Sequence, residues 1–177
     1  MKKIAYLYGG PGTGKSTTAA HLFALAKQDD INAELVREYI KDWVWEGREV
    51  RPGDQPYIAS KQSRKERICF GSVDLIISDS PMYLGQFYEE KYDNSYHVVR
   101  HLIAKHMQFA ELEGYEFLHV FLKRTKEYNP LGRYQNETEA VECDKEIREL
   151  LIREGIEFVD IDANPDAARK ILDIIKG

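Results

Sequence analysis

GGPGTGKS, from Gly9 to Ser16, matches the pattern G-x-x-x-x-G-K-[ST] of a phosphate-binding loop. The apolar run from Lys3 to Tyr8 precedes the loop, as expected of a buried parallel strand, and apolar residues recur at helical spacing after it. Glycines let such a loop turn with its backbone N–H groups pointing inward, where they bind phosphate oxygens. The strand, loop and helix together predict a nucleotide-binding site.

The polar positions of this loop predict contacts with ATP and Mg²⁺. Lys15 adds positive charge beside the β- and γ-phosphates, and the Ser16 hydroxyl is expected to ligate Mg²⁺. The N-terminus of the following helix adds a partial positive charge. The residues expected to bind ATP are Gly10, Gly12, Thr13, Gly14, Lys15, Ser16 and Thr17.

The composition is typical of a globular protein, with 43% hydrophobic and 31% charged residues among 177. This length suits one domain, expected to span 1–177. No apolar run is long enough to cross a membrane and no export signal is visible, so a cytoplasmic protein without membrane contact is expected. The net charge of −5 disfavours extended binding to nucleic acid. No coiled-coil heptads appear, and the oligomeric state is left open.

Strand and helix patterns alternate along the chain. Strand patterns lie at 3–8, 33–36, 73–78, 116–122 and 157–161. Helix patterns follow the loop and lie at 39–46, 54–70, 95–113, 136–155 and from 164 onward. This order, together with the P-loop, predicts an α/β fold of the three-layer P-loop NTPase type with a five-stranded parallel sheet. The segment 82–94 has a weak pattern and its structure is left open.

Six further residues carry local expectations. Asp54 is a candidate N-cap, and Asn136 with Glu139 resembles a capping box. His106 lies on an apolar helical stripe, which favours a buried histidine with hydrogen-bond partners over a catalytic one. The cysteines, Cys69 and Cys143, belong to no metal or redox motif and are expected to be plain thiols.

The acidic residue that follows the third strand pattern decides which kind of P-loop protein is expected. Asp79 ends the third strand pattern, in the place of a Walker-B acid, and is expected to hold Mg²⁺ through water. Ser80 follows it, whereas ATPases that drive mechanical work usually carry a glutamate there. No Asn-Lys-x-Asp motif of a guanine-binding switch occurs. The pattern therefore favours transfer of the γ-phosphoryl group to a bound acceptor.

Such a transfer needs a base, cations on the phosphoryl group and a cover that excludes water. Glu38, just after the second strand pattern, is the expected base, with Asp79 as the alternative. A third interpretation is that Glu38 has no catalytic role and is simply a carboxylate at a helix N-terminus, where the helix dipole favours negative charge. Arg124 and Arg133 flank a Pro/Gly loop, expected to form a lid at about 124–136 whose arginines close on the phosphates.

The acceptor is expected to contact residues beyond the second strand. Trp43 is a candidate for stacking on an acceptor ring, with core packing as the alternative. Arg37 and Arg64, together with Arg67, are candidates for binding an acceptor phosphate. The basic run 61–67 keeps open a kinase that acts on a nucleic-acid end or a base in DNA. A regulatory module that holds ATP without transferring phosphate is the remaining alternative.

The chain resembles the ribosylnicotinamide kinase domain of NadR-type bifunctional proteins and related small P-loop kinases, many of them phage-encoded. The shared stretches are the P-loop, 37–39, the helix 55–67, the strand ending at Asp79, 121–123 leading to 132–133, and 142–154 ahead of 157–159. The resemblance implies a fold like that of nucleoside and nucleotide kinases with the P-loop strand central in the sheet, an ATP·Mg²⁺ donor and a nucleoside-type acceptor. These kinases carry Asp-x-Asp at the end of strand three, whereas this chain has Ser78-Asp79-Ser80. No adenylyltransferase region precedes, so kinase activity alone is expected.

Overall fold

A computed structural model describes residues 2–93, 97–125 and 136–177 of the chain. Its five strands are β1 (Lys2–Tyr8), β2 (Ala33–Val36), β3 (Leu75–Ser78), β4 (Tyr115–Lys123) and β5 (Val159–Asp162). All neighbouring strands are parallel, in the order β2-β3-β1-β4-β5. The α/β fold with a five-stranded parallel sheet is thereby confirmed, and the strand before the P-loop lies at its centre.

Helices cover both faces of this sheet. They are α1 (Lys15–Gln28), α2 (Lys41–Trp45), α3 (Gln55–Arg67), α4 (Met82–Tyr88), α5 (Val98–Leu112), α6 (Glu137–Arg153) and α7 (Ala167–Lys176). The segment whose structure the pattern left open contains α4, which a π-helical segment, Glu89–Asp93, continues. Because side chains alternate along β1, Ala5 and Leu7 pack with α1 and α7, whereas Ile4 and Tyr6 pack with α4, α5 and α6.

The predicted inward faces of the last two helices are buried. They are Ala140, Cys143, Ile147 and Leu151 on α6, and Ala168, Ile171, Leu172 and Ile175 on α7. The capping box of α6 is confirmed, since Asn136 Oδ1 accepts from Glu139 N at 3.0 Å and Glu139 Oε2 accepts from Asn136 N at 2.8 Å. Both cysteines are free and buried, as predicted.

The prediction that Asp54 caps α3 is wrong. Its side chain makes no capping hydrogen bond with the helix, and Oδ2 instead accepts from Arg51 N at 2.9 Å. Pro56, at the second helical position, has no N–H to offer such a cap. The predicted helix 39–46 is also shorter than expected, because only Lys41–Trp45 are helical.

One buried face of α3 is polar, which its sequence pattern did not indicate. Glu66 is fully buried and accepts hydrogen bonds from the Tyr6 hydroxyl and the Ser78 hydroxyl, both at 2.8 Å. His106 Nε2 lies 2.8 Å from Glu66 Oε2, and its Nδ1 lies 2.9 Å from the Ser63 hydroxyl. The histidine is therefore a buried residue with partners, as predicted. This network, which we call the Glu66 network, joins α3 and α5 to the two strands β1 and β3.

No helix in the described ranges has the length and apolarity needed to span a membrane.

Candidate functional site

The P-loop joins the end of β1 at Tyr8 to the start of α1 at Lys15. Gly9 has a φ of 137°, and a Cβ there would lie 2.7 Å from Thr13 Oγ1. A Cβ on Gly10 would lie 2.6 Å from the carbonyl oxygen of Ala140 on α6. Both positions therefore exclude any larger residue, and the loop packs closely between the sheet and α6.

Lys15 bends back over the loop that precedes it. Its Nζ donates to the carbonyl oxygens of Gly9 at 2.6 Å and Gly10 at 3.0 Å. Burial lowers the pKa of Lys15, and the nearby carboxylates of Glu38 and Asp79 partly offset this effect. The ammonium group is thus held at the mouth of the loop, with its positive charge supported by two acids.

Glu38 and Asp79 meet at the carboxyl edge of the sheet. β2 and β3 are neighbours, with Val36 opposite Ser78, so the residues that follow both strands lie side by side. Glu38 N donates to Asp79 Oδ1 at 2.8 Å. Burial raises the pKa of Glu38, while the positive charge of Lys15 lowers it. The structure therefore brings Lys15, Glu38 and Asp79 into one charged cluster.

A cavity of about 710 Å³ opens beside this cluster. The P-loop and the start of α1 contribute Pro11, Gly12, Gly14, Lys15, Ser16 and Thr17 to its lining. The segment from β2 to α3 contributes Glu38, Ile40, Lys41, Val44, Glu49, Val50, Arg51, Pro52, Gln55 and Ile58. Ser80, Leu84, Gly85, Tyr88, Tyr92 and Glu139 complete it. The cavity therefore extends beyond the loop along the segment from β2 to α3, where apolar side chains stand among charged ones.

Five of the seven residues expected to bind ATP line this cavity, and Gly10 and Thr13 do not. The N–H of Gly10 donates to Asp144 Oδ1 at 2.5 Å, so it is already in use. The Thr13 hydroxyl donates to Gly10 O at 2.8 Å and stabilises the conformation of the loop. These two residues therefore shape the loop, whereas Gly12, Gly14 and Ser16 face the open space.

Arg124 contacts the P-loop directly. Its Nη2 donates to Pro11 O at 2.8 Å, and its Nε donates to Asp144 Oδ2 at 2.8 Å. Asp144, on α6, thus joins Arg124 to the N–H of Gly10. Sequence reasoning missed Asp144, because nothing in a helical pattern signals a contact with a loop more than one hundred residues earlier. Arg133 and the lid segment 126–135 lie outside the described residues.

The structure does not bring Trp43, Arg37 or Arg64 to the cavity lining. Trp43 is buried and stacks on Tyr57, with ring centroids 6.1 Å apart. This packing agrees with the second interpretation of Trp43, packing in the core. Arg37 is exposed because the neighbouring Glu38 takes the inward position after β2. Arg64 is exposed because it lies off the buried face of α3.

The donor set at the loop suits Mg²⁺. In the described ranges there is no group of three or more His, Cys, Asp or Glu residues that would hold a metal ion by themselves. The Ser16 hydroxyl lines the cavity, and Asp79 supplies a buried carboxylate at its edge. Magnesium is usually held in this way, by one or two protein oxygens together with phosphate oxygens and water.

A family model described as an AAA domain matches residues 4–169. The chain belongs to this AAA_28 family. No curated protein matches it. Two solved structures have a fold similar to that of this chain. They are the Cys556Ala mutant of Mycobacterium tuberculosis APS kinase CysC, and NadR protein in complex with NR.

The first structure is 15% identical, with a TM-score of 0.53, and the match covers 99% of both chains. The second is 16% identical, with a TM-score of 0.70, and the match covers 98% of this chain and 50% of that one. This chain thus spans about half the length of the NadR chain. The expected P-loop kinase-like fold and the likeness to NadR-type proteins are confirmed.

Proposed function

We propose that this chain transfers the γ-phosphoryl group of ATP to a small acceptor of the nucleoside type. The observation that carries the proposal is the continuation of the cavity beyond the P-loop, past Glu38, between the apolar side chains of Ile40, Ile58 and Leu84. An enzyme that only hydrolyses ATP needs room for a water molecule beside Glu38 and has no use for a larger cavity with apolar side chains in its lining. The named neighbours support a small acceptor, because one is an APS kinase and the other holds NR.

The P-loop holds the donor in this proposal. Gly12 and Gly14 present their backbone to the phosphates, and Lys15 places its charge beside the γ-phosphoryl group. Ser16 and Asp79 are the residues that would hold Mg²⁺, Asp79 through water. When bound there, the metal would supply positive charge that offsets the negative charge developing on the phosphate oxygens.

The acceptor hydroxyl is the nucleophile in this proposal. Its oxygen forms a bond to the γ-phosphorus as the bond to the β–γ bridging oxygen breaks, and its proton passes to Glu38. Glu38 suits this role better than Asp79, because Glu38 lines the cavity whereas Asp79 is buried and does not. A raised pKa also makes a carboxylate a stronger base.

A nucleoside suits the cavity better than a nucleotide. The arginines considered for an acceptor phosphate lie elsewhere: Arg37 and Arg64 are exposed, and the Arg67 guanidinium lies 4.5 Å from the centroid of the Phe109 ring. In the part of the cavity lined by 38–58, the positive charges of Lys41 and Arg51 are matched in number by the negative charges of Glu38 and Glu49. An acceptor without a phosphate of its own is therefore favoured.

The Glu38→Gln variant is expected to transfer phosphate about 10²- to 10⁴-fold more slowly than the wild type, because a general base contributes about that factor. In the wild type, kcat/KM for the acceptor should fall as the pH falls and Glu38 takes up a proton. Because burial raises the pKa of Glu38, this fall should begin at a higher pH than for an exposed glutamate.

A pH–rate profile of the two proteins checks this prediction. ATP binding by the variant, measured separately, serves as the control and should match the wild type. An acid limb that persists unchanged in Glu38→Gln would assign the base to another residue.

The proposal is tested by incubating the protein with ATP·Mg²⁺ and a panel of acceptors: nicotinamide riboside, the nucleosides, the nucleoside monophosphates and a 5′-hydroxyl oligonucleotide. A phosphorylated soluble nucleoside is the expected product. Phosphorylation of the oligonucleotide alone, with a rate that falls steeply as salt is added, would instead support a nucleic-acid kinase. ATP binding without any phosphorylated product would support a regulatory module.

A further inference from the structure

Three polar side chains lie on the buried face of α3. They are Gln55, Gln62 and Glu66, which are 7%, 4% and 0% exposed. Residues at this spacing share one side of a helix. Polar groups removed from water are nearly always hydrogen-bonded, so each of these side chains should have a partner.

Two of the three side chains have hydrogen-bond partners within the protein. Gln62 Oε1 accepts from the backbone N–H of Tyr39 at 2.9 Å, although its Nε2 is buried without a partner, and Glu66 is the centre of the Glu66 network. Gln55 differs. Its carboxamide makes no hydrogen bond with another residue in the ranges 2–93, 97–125 and 136–177, and its atoms are not among the fully buried unpaired ones, so the amide is open to the cavity that Gln55 lines.

Gln55 is also the member of this group that lines the cavity. It lies at the first position of α3, and Ile58, one turn further on, lines the cavity too. Leu84 and Tyr88 line it from α4. An amide with one donor group and one acceptor oxygen therefore lines the cavity together with the apolar side chains of Ile58 and Leu84.

This combination fits a planar heterocycle. Apolar walls accommodate the faces of a ring, and a carboxamide pairs with a ring edge on which a donor and an acceptor are neighbours. An amide carries no net charge, so it gives no advantage to an ionised ring substituent. A bare hydrocarbon ring would leave the buried amide without a partner and is disfavoured for that reason.

We propose that Gln55 determines acceptor specificity by forming paired hydrogen bonds with the donor–acceptor edge of the heterocyclic ring of a nucleoside. The proposed function supplies the hydroxyl that is phosphorylated, and this inference rests on it for the nucleoside class of the acceptor. The contact itself is a binding contact and can be measured without any transfer.

The test measures binding of matched ligands by titration calorimetry. The probes are adenosine, cytidine and nicotinamide riboside, together with ribofuranosylbenzene, which keeps the ribose but has no hydrogen-bonding ring edge. For the best-bound nucleoside, the wild type is expected to prefer the heterocycle over the benzene analogue by roughly 10- to 100-fold. In Gln55→Leu, the preference should fall to within about 3-fold, because the paired contact is gone.

Two variants keep this comparison interpretable. Arg64→Leu changes an exposed residue of the same helix and should retain the full preference of the wild type. Gln55→Glu keeps the size of the side chain but replaces the amide donor by a carboxylate oxygen, so it should weaken binding of the heterocycle even if Gln55→Leu does not fold. ATP affinity, measured in parallel, should be the same in all folded variants.

The outcomes for this inference and for the proposed function are distinct. An unchanged preference in Gln55→Leu and Gln55→Glu, with phosphoryl transfer observed in the wild type, would overturn the inference and leave the function. Loss of the preference in a protein that phosphorylates none of the probes would support the inference and contradict the function. If the wild type binds none of the heterocycles more tightly than the benzene analogue, the inference is wrong, and water is the partner of the Gln55 amide.

Discussion

Lys15→Ala is expected to lower kcat for phosphoryl transfer by about 10²- to 10³-fold. The lysine ammonium group lies at the mouth of the P-loop, where it donates to the carbonyl oxygens of Gly9 and Gly10, and the proposal places it beside the γ-phosphoryl group. Charge held in advance at the point where a transition state develops charge contributes a factor of about 10² to 10³ for each group. Lys15 also contributes to binding of the ground state, so KM for ATP should rise as well.

Single-turnover kinetics of Lys15→Ala and the wild type check this prediction, with Lys170→Ala as the matched control. Lys170 is an exposed lysine of α7, far along the chain from the cavity residues, and its loss should change kcat by less than about 2-fold. Transfer at the wild-type rate in Lys15→Ala would contradict the assignment of the P-loop as the donor site.

The second large effect concerns stability. Glu66→Ala is expected to lower the free energy of unfolding by about 3–5 kcal/mol, the usual cost of removing one partner from a buried hydrogen-bonded charge network. The hydroxyls of Tyr6 and Ser78 and the ring nitrogen of His106 would all lose their shared acceptor. A loss of this size is a large fraction of the total stability of a typical domain.

Urea unfolding at equilibrium measures the loss of stability, and two variants bracket it. Arg64→Ala, on the exposed side of α3, should change stability by no more than about 0.5 kcal/mol. Glu66→Gln keeps the shape and one acceptor oxygen, so its loss should lie between the two. If Glu66→Ala lost less than about 1 kcal/mol, the Glu66 network would contribute little, and α3 would be held by its apolar contacts.

The Glu66 network also has a consequence for the site. Ser78, which donates to Glu66, directly precedes Asp79, and Gln62 on the same helix face holds the backbone N–H of Tyr39, next to Glu38. The two acids at the edge of the sheet are therefore each anchored to α3 through the adjacent residue. The buried polar face of α3 is thus well placed to position Glu38 and Asp79.

The sequence predicted the fold well, because the signals that decide it are local. The P-loop is a continuous motif, and the strand before it is a short apolar run of the kind that parallel sheets bury on both faces. The α6 capping box involves residues three apart, and the stripe of Cys143, Ile147 and Leu151 follows the helical period. Each of these features is readable without knowledge of the rest of the chain.

The features that the sequence did not predict depend on tertiary contacts. The polar buried face of α3 resembles a solvated face, because Gln62 and Glu66 are residue types common at surfaces. The partners of Glu66 lie on β1, β3 and α5, and the partner of Gln62 lies between β2 and α2. The contact of Asp144 with Gly10 joins α6 to the P-loop across the fold. Trp43 had two interpretations of similar merit, and only its packing against Tyr57 separates them.

Membership of an AAA-domain family identifies phosphate binding and leaves the reaction to be argued from the site. Ser80 lines the cavity at the place where an ATPase of the mechanical type usually has a catalytic glutamate. Glu38, which follows β2, lines the same cavity. The position of the carboxylate that faces the cavity therefore favours an acceptor over water.

The fate of the γ-phosphoryl group tests this account most directly. ATP labelled at its γ-phosphorus is incubated with the wild type and the best acceptor of the panel, and the label on the acceptor is compared with the ADP formed and with inorganic phosphate. The account predicts one labelled acceptor for each ADP, little inorganic phosphate, and loss of both products in Lys15→Ala. Label released entirely as inorganic phosphate, at a rate that does not depend on the acceptor, would show that the protein hydrolyses ATP and would contradict the account.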